Sequence, residues 1–165
     1  MYNVLKKQKI AEGIYELQIE APHVAQKALP GHFLILRIDQ NGERVPFTIS
    51  DMDNETVTIV FRVRGRTTYE LSKLKKGNTI LDVAGPLGNP SPIEEYGTVC
   101  LASGGMGTTT SYILSKALKK KGNKIINIIG TKTADRLFWL DRFQAISDHL
   151  IVCTEDGSYG VQSRV

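Results

Sequence analysis

The stretch VCLASGGMGTTTSYILSKALKKKG, from Val99 to Gly122, constrains the fold more than any other part of the chain. Val99, Cys100, Leu101 and Ala102 form a short apolar run that suits a buried strand of a parallel sheet. Gly104, Gly105 and Gly107 follow, where the backbone can take positive φ and approach another group closely. From Thr108 the pattern turns helical, with Ile113, Leu114, Ala117 and Leu118 on one side. Lys119 to Lys121 suit the negative end of a helix dipole, and Gly122 is a natural stop. Strand, glycine turn and helix in this order point free N–H groups at an anion. The spacing G-G-x-G is neither the dinucleotide fingerprint G-x-G-x-x-G nor a P-loop. Taken alone, the glycines read equally as a phosphate cradle or as a tight βα turn.

The same grammar continues to the end of the chain. The pattern predicts a strand over 98–102, a helix over 108–121, a strand over 124–129, a helix near 135–145 and a strand over 149–153. Such β-α-β-α-β alternation predicts a parallel sheet. Two further loops, Gly130 to Thr133 (GTKT) and Thr154 to Gly160 (TEDGSYG), follow the second and third strands. In parallel sheets ligands gather beyond the carboxyl ends of strands, so all three loops would converge on one end. The blander reading is that βα loops are rich in Gly and Thr anyway. Three strands without a closing helix, ending in DGSYGVQSRV, read as a domain truncated at its C-terminus, the front of a longer protein.

The first half reads as β. Val4 to Lys9 and Ile14 to Glu20 form an expected hairpin around Ala11-Glu12-Gly13, and 22–31 reads as a loop. Strands are expected over Phe33 to Ile38, Val45 to Asp51, Thr56 to Arg64 and Thr79 to Val83, with a short helix over Thr67 to Leu74. In the run from Thr56 to Arg64, Val57, Ile59, Phe61 and Val63 alternate with Thr58, Val60 and Arg62. Six short strands separated by turns predict a small antiparallel barrel. The Pro/Gly-rich stretch from Gly85 to Gly97 marks the boundary. The expected organisation is therefore a barrel over 1–96 and an incomplete α/β parallel-sheet domain over 97–165.

Composition narrows the classes. With 41% hydrophobic and 23% charged residues, a packed core is expected rather than disorder. No apolar run approaches the length of a membrane span, and MYNVLKKQKI lacks the apolar region of a signal peptide. Cys100 and Cys153 each lie in an apolar run, so they read as buried reduced thiols of a cytoplasmic protein. Two thiols cannot hold a four-thiolate iron–sulfur cluster. His23, His32 and His149 show no metal-ligand spacing, and no catalytic triad is arguable. Asp135, Asp141 and Asp148 read as helix-cap or surface residues. The net charge of +4 comes from small lysine groups at Lys6, Lys7 and Lys9, at Lys73, Lys75 and Lys76, and at Lys119 to Lys121. These read as solvated turns and helix ends rather than a nucleic-acid face, because no aromatic residues interleave with them.

Two segments of the first half could carry a ligand. In GERVPFTIS, Gly42 to Ser50, Pro46 removes a ladder N–H, which suits an ordinary edge strand or a strand along which a flavin lies. In RVRGRTTYELSKL, Arg62 to Leu74, a strand ends at Gly65 and a helix opens at Thr67-Thr68. That start suits a pyrophosphate, with Arg62, Arg64 and Arg66 adding charge. It equally suits plain N-capping by Thr67 or Thr68.

Taken in order, RVPFTIS, VRGRTT, DVAGPLGNP, GGMGT, FWLDRF and TEDGSYG resemble the ferredoxin–NADP reductase superfamily over about Val4 to Gly160. Within it the chain is similar to the small subunits of NADH-dependent reduced ferredoxin:NADP oxidoreductase and to the electron-transfer subunits of dihydroorotate dehydrogenase. The resemblance implies an FAD-binding barrel and an NAD(P)-binding α/β domain. It implies that Pro46, Phe47, Thr48 and Ile49 line a flavin, that Arg62 and Val63 run along its tail, and that Gly65, Thr67 and Thr68 hold its pyrophosphate. Gly104, Gly105, Gly107 and Thr108, helped by Gly130 and Asp156, would face a nicotinamide nucleotide. The implied role is an FAD-dependent NAD(P)H oxidoreductase subunit that passes electrons to a larger flavin or iron–sulfur subunit. The family's 2Fe–2S cysteines are absent from this sequence. The alternative is a truncated, non-catalytic FAD-binding or interaction module. Neither nucleic acid nor membrane is an expected partner.

Overall fold

In the computed structural model, which describes residues 1–165, the chain divides into two units, Met1–Ser91 and Pro92–Val165. No helix is long and apolar enough to cross a membrane. The first unit begins with β1 (Tyr2–Ala11) and β2 (Ile14–Glu20), an antiparallel pair joined by Glu12-Gly13. Gly13 takes φ +66°, as a two-residue hairpin turn requires. A short helix α1 (Pro22–Ala25) replaces the expected loop. Its signal is Pro22 in the first turn, where a missing N–H costs nothing, and its buried Val24 and Ala25 repay the ordering.

β3 (Phe33–Arg37), β4 (Val45–Met52) and β5 (Thr56–Arg62) follow, then helix α2 (Arg66–Lys73). The expected last strand divides into β6 (Thr79–Ile80) and β7 (Asp82–Leu87). The sheet order is β6-β1-β2-β5-β4-β3-β7. Its two ends are separated in the chain by Leu81 alone, whose N–H bonds to Ile38 O (2.9 Å) just beyond β3. One bent strand thus pairs with β1 on one side of the corner and with β3 on the other, which closes the sheet into a barrel. The interior is Leu17, Ile19, Leu34, Leu36, Ile49, Ile59 and Ile80, all fully buried. Each contributes about 1.5–3 kcal/mol relative to exposure. β5 is buried from Thr56 to Phe61 on both faces, so its alternation does not mark a wet side. The reason is position: β5 is interior to the sheet, between β2 and β4, and α1 packs against it.

The second unit is β8 (Thr98–Gly104), a 3-10 turn (Gly105–Gly107), α3 (Thr108–Lys120), β9 (Lys124–Thr131), α4 (Leu140–Ile146), β10 (His149–Thr154) and β11 (Val161–Gln162). The strands are parallel in the order β11-β10-β9-β8, one more than expected. The expected single helix near 135–145 is instead a 3-10 turn (Ala134–Arg136) and the shorter α4. Two successive crossovers advance in the same direction, so right-handedness puts α3 and α4 on one face. That face holds Ile125, Asn127 and Ile129, all buried. The other carries Cys100, Ala102, Ile126, Ile128 and Ile151. Cys100 is therefore exposed, contrary to its apolar surroundings in sequence, while Cys153 is buried. The two thiols sit on strands separated by β9, not on neighbours.

Polar groups lock the helices onto this face. Asn127, fully buried on β9, accepts a hydrogen bond from Ser115 Oγ of α3 (2.8 Å) and donates to Ser147 Oγ at the end of α4 (2.8 Å). Tyr112, Trp139 and Phe143 pack between the two helices, with the Tyr112 and Trp139 rings 5.0 Å apart. Trp139 takes φ +60° at the start of α4, a left-handed conformation that only surrounding packing sustains in a bulky residue.

Asn127→Ala strands both serine hydroxyls. It should lower unfolding free energy by about 2–3 kcal/mol in a denaturant titration, whereas Ser115→Ala should cost about 1 kcal/mol.

Candidate functional site

In the first unit the ladder between β4 and β5 is incomplete. The two strands pair at Ile49–Ile59, Asp51–Thr58 and Met52–Val57, and no pair forms beyond Ile49. From Val45 to Thr48, β4 pairs with β3 alone; from Val60 to Arg62, β5 pairs with β2 alone. A seam therefore opens between the two strands, with backbone groups that no neighbouring strand uses. Alternation divides the four β4 residues expected to line a ligand. Phe47 and Ile49 point into the barrel, and Phe47 meets Phe61 edge-on at 6.2 Å. Pro46 and Thr48 turn outward.

β5 runs out of this seam toward the start of α2. Arg62 is half-buried and pairs with Ile14; the Val63 N–H bonds to Gly13 O (2.9 Å). Gly65 is the N-cap, not Thr67 or Thr68. Thr68 instead reaches back: its Oγ1 accepts the N–H groups of Arg64 (2.9 Å) and Gly65 (3.1 Å). The amides of Arg66, Thr67 and Thr68 are then the ones that helix geometry leaves over. Thr67 Oγ1 donates to Glu43 (3.4 Å). Beside it a cavity of about 310 Å³ is lined by Asp39, Glu43, Arg66, Thr67 and Glu70. Arg44 does not face this start; it shares Asp82 with Arg37, at 3.2 Å and 2.6 Å. Arg62, Arg64 and Arg66 form no ion pair. A helix start with unpaired guanidinium groups suits a pyrophosphate, and an open seam leading to it suits a flat ring system.

In the second unit the register brings the carboxyl ends of three strands level. Gly104 pairs with Gly130, and Gly130 with Cys153. The continuous helical run starts at Gly105, because the Thr108 N–H already bonds to the Gly105 and Met106 carbonyls. An i→i+3 turn over Gly105–Gly107 uses the Gly107 N–H on the Gly104 carbonyl, which leaves the amides of Gly105 and Met106 free. Thr108 itself is buried and offers no side chain. Gly105 takes φ +55° with open space around its missing Cβ.

The second and third loops are tied together. Asp156 accepts hydrogen bonds from Ser158 N (3.0 Å) and Ser158 Oγ (2.6 Å), and Ser158 Oγ accepts the Ala134 N–H (2.9 Å). Those two Ser158 bonds hold the Asp156 carboxyl below its ordinary 3.8. Thr154 Oγ1 accepts Tyr159 N–H (3.0 Å) and donates to Tyr159 O (2.8 Å), closing the third loop on itself. Gly160 is obligatory at its crossing, with φ +66° and a Cβ position only 2.1 Å from Val152 O. The expected aspartates also find roles: Asp148 accepts the Ile125 N–H (2.7 Å) and pairs with Lys119, which holds its carboxyl low. No group of three or more His, Cys, Asp or Glu side chains is placed to hold a metal.

No family profile matches the chain. Over 164 residues it is 48% identical to a dihydroorotate dehydrogenase B (NAD(+)) electron transfer subunit homolog of Thermotoga maritima, covering 98% of this chain and 58% of the relative. A solved structure of an NADH-dependent reduced ferredoxin–NADP oxidoreductase, from work on flavin-based electron bifurcation, superposes with TM-score 0.92 and 45% identity. The match covers 98% of this chain and 59% of that one. The FAD/NAD-binding domain of nitric oxide dioxygenase from Vibrio cholerae superposes with TM-score 0.85 at 16% identity, covering 99% and 78%. The chain is ferredoxin reductase-like in fold. In sequence it resembles electron-transfer subunits, as its motif order implies, and it spans somewhat under three fifths of the Thermotoga relative and of the oxidoreductase chain.

Within this ferredoxin reductase-like fold the structure gathers Pro46, Thr48, Arg62, Gly65, Thr67 and Thr68 along one seam and helix start. Gly104, Gly105, Gly107 and Gly130 gather at one sheet end. Ser158 is not singled out in the sequence, yet it joins the second and third loops through Asp156 and the Ala134 N–H.

A carboxyl held below its ordinary value contributes stability that is complete above that value. The contribution is lost as pH falls through the folded-state pKa. Acidification below about pH 4 should therefore release the Asp156–Ser158 brace. Amide exchange at Ser158 and Ala134 should accelerate there in the wild type, and be fast and insensitive to pH over that window in Asp156→Asn, after correction for intrinsic exchange.

Proposed function

We propose that the chain is the FAD- and NAD(P)-binding part of an electron-transfer oxidoreductase subunit. The observation that carries the reading is the β4–β5 seam that leads into the arginine-flanked start of α2. The residues present fit FAD. Pro46 and Thr48 face the seam, and the backbone of Phe47 and Ile49 supplies donors and acceptors along it. Phe47 and Ile49 support the seam from inside the barrel. Arg62 and Val63 lead the ligand's tail to Gly65, Thr67 and Thr68, where leftover amides and unpaired arginines balance two phosphate charges.

The second unit fits a nicotinamide nucleotide in the same way. Gly104, Gly105 and Gly107 let the backbone approach phosphate, Thr108 anchors the base of the turn, and Gly130 and Asp156 shape the neighbouring loops. FAD, when bound, supplies the exchange of a two-electron donor for single-electron steps. The protein's own part is to bind, orient and exclude water. The chain spans 58% of the Thermotoga relative and 65% of a Bacillus mycoides electron transfer subunit, and the proposed partner is a larger flavin or iron–sulfur redox subunit in the cytoplasm. The residues here do not fit a 2Fe–2S centre, since the two cysteines, Cys100 and Cys153, lie on strands separated by β9.

The test is an absorbance spectrum of the desalted protein, before and after FAD and then NADH or NADPH without oxygen. Flavin bands that bleach support both halves of the proposal. Bands that do not bleach restrict it to FAD binding. A folded protein without flavin bands overturns it in favour of a non-catalytic interaction module. Arg66→Ala should weaken FAD binding roughly tenfold and flatten its salt dependence, measured by flavin fluorescence.

A further inference from the structure

We infer that Ser103 belongs to the nucleotide site of the second unit, its hydroxyl being the group that a bound dinucleotide's phosphate satisfies. The inference rests on the nicotinamide nucleotide reading above and adds to it a residue from the strand beneath the glycine turn. Ser103 Oγ is shut off from solvent and has no hydrogen-bond partner. Its neighbours on the same side of the sheet behave differently. Ser115 bonds to Asn127, Thr109 bonds to Met106 O, and Thr154 bonds twice to Tyr159. A buried hydroxyl without a partner is costly, and alanine would fill the same space without that cost.

The location says what the partner would be. Ser103 pairs in register with Ile129, on the face that α3 covers, one residue before β8 ends at Gly104. A Cβ on Gly107 would lie 3.9 Å from Ser103 Cβ, so the serine sits directly beneath the Gly105–Gly107 turn. This turn opens a helical run that continues through the thirteen residues of α3. No side chain caps it, and the amides of Gly105 and Met106 are left over. Leftover amides at a helix start attract an anion from above. The orphan hydroxyl waits below. A phosphate seated on the turn reaches Ser103 when the turn lifts, a movement that Gly105 and Gly107 permit with little steric cost. The Ser103 O–H then donates to a phosphate oxygen, a charge-assisted bond. A dinucleotide pyrophosphate fits because it presents several such oxygens side by side.

The test compares wild type, Ser103→Ala and Ser103→Thr in the full chain. Two quantities are read: the dissociation constants for NADH and NADPH by calorimetry, and the melting temperature without nucleotide. Ser103→Ala should bind at least about tenfold more weakly and melt at the same or a higher temperature. Ser103→Thr keeps the hydroxyl and should keep most of the affinity. Unchanged affinity in Ser103→Ala overturns the inference alone. A lower melting temperature in Ser103→Ala also overturns it, because the hydroxyl would then be bonded without nucleotide. Wild type that binds neither nucleotide overturns the nucleotide reading and this inference together.

Discussion

Every backbone N–H and C=O taken out of water needs a partner, and the two units of this chain meet that demand in different ways. The first unit closes its sheet. Leu81 turns one strand through a corner so that β6 and β7 pair with opposite ends of the same sheet. Closure joins the two ends of the sheet but leaves the β4–β5 ladder open beyond Ile49–Ile59. The second unit's parallel sheet of four strands stays open, with β8 and β11 as its edges. Its leftover groups gather at helix starts and strand ends. In both units the candidate ligand positions are places where the backbone has groups to spare. The fold creates a ligand site by failing to satisfy itself at one location.

Charge follows the same logic. Arg37 and Arg44 are tied to Asp82, whereas Arg62, Arg64 and Arg66 have no carboxylate. The free arginines are those that flank the start of α2, where an anion would be stabilised twice, by dipole and by guanidinium. The lysine groups are more ordinary. Lys119 holds Asp148, Lys73 holds Glu70, and Lys7 caps the Ser72 carbonyl at the end of α2. Lys6, Lys7 and Lys9 lie on strand β1 rather than at a turn or helix end, and Lys7 and Lys73 sit over the Tyr15 and Tyr69 rings, at 5.3 Å and 4.0 Å.

Local pattern made much of the fold legible. The β1–β2 hairpin, the strands from Phe33 and Val45, and the strand–turn–helix at Val99 to Lys120 all follow from periodicity and turn residues within a few positions. What depends on distant pairing did not show. The division of the last barrel strand at Leu81 follows from barrel closure, and the opening of the β4–β5 seam from which strands lie beside which. The burial of Thr58 and Val60 reflects the interior position of β5. Cys100 is exposed because both crossovers place their helices on the opposite face, a consequence of handedness that an apolar run of four residues does not announce. The motif order located both candidate sites, but alternation decides which side chains face them. Pro46 and Thr48 turn outward while Phe47 and Ile49 point into the barrel, so only alternate residues of a contiguous motif share a face.

The glycine turn illustrates the limit of motif reading best. Its three glycines are legible as a place of close approach, yet a bland βα turn needs glycines too. Two structural facts bear on these readings. The amides at Gly105 and Met106 are left without helical partners, and the hydroxyl beneath them has none either. A turn that served only to connect β8 to α3 would gain stability from alanine at position 103. Retaining a hydroxyl that the ligand-free fold cannot satisfy makes sense if the satisfied state includes another molecule. The cost borne by the free chain then becomes part of the affinity for what completes it.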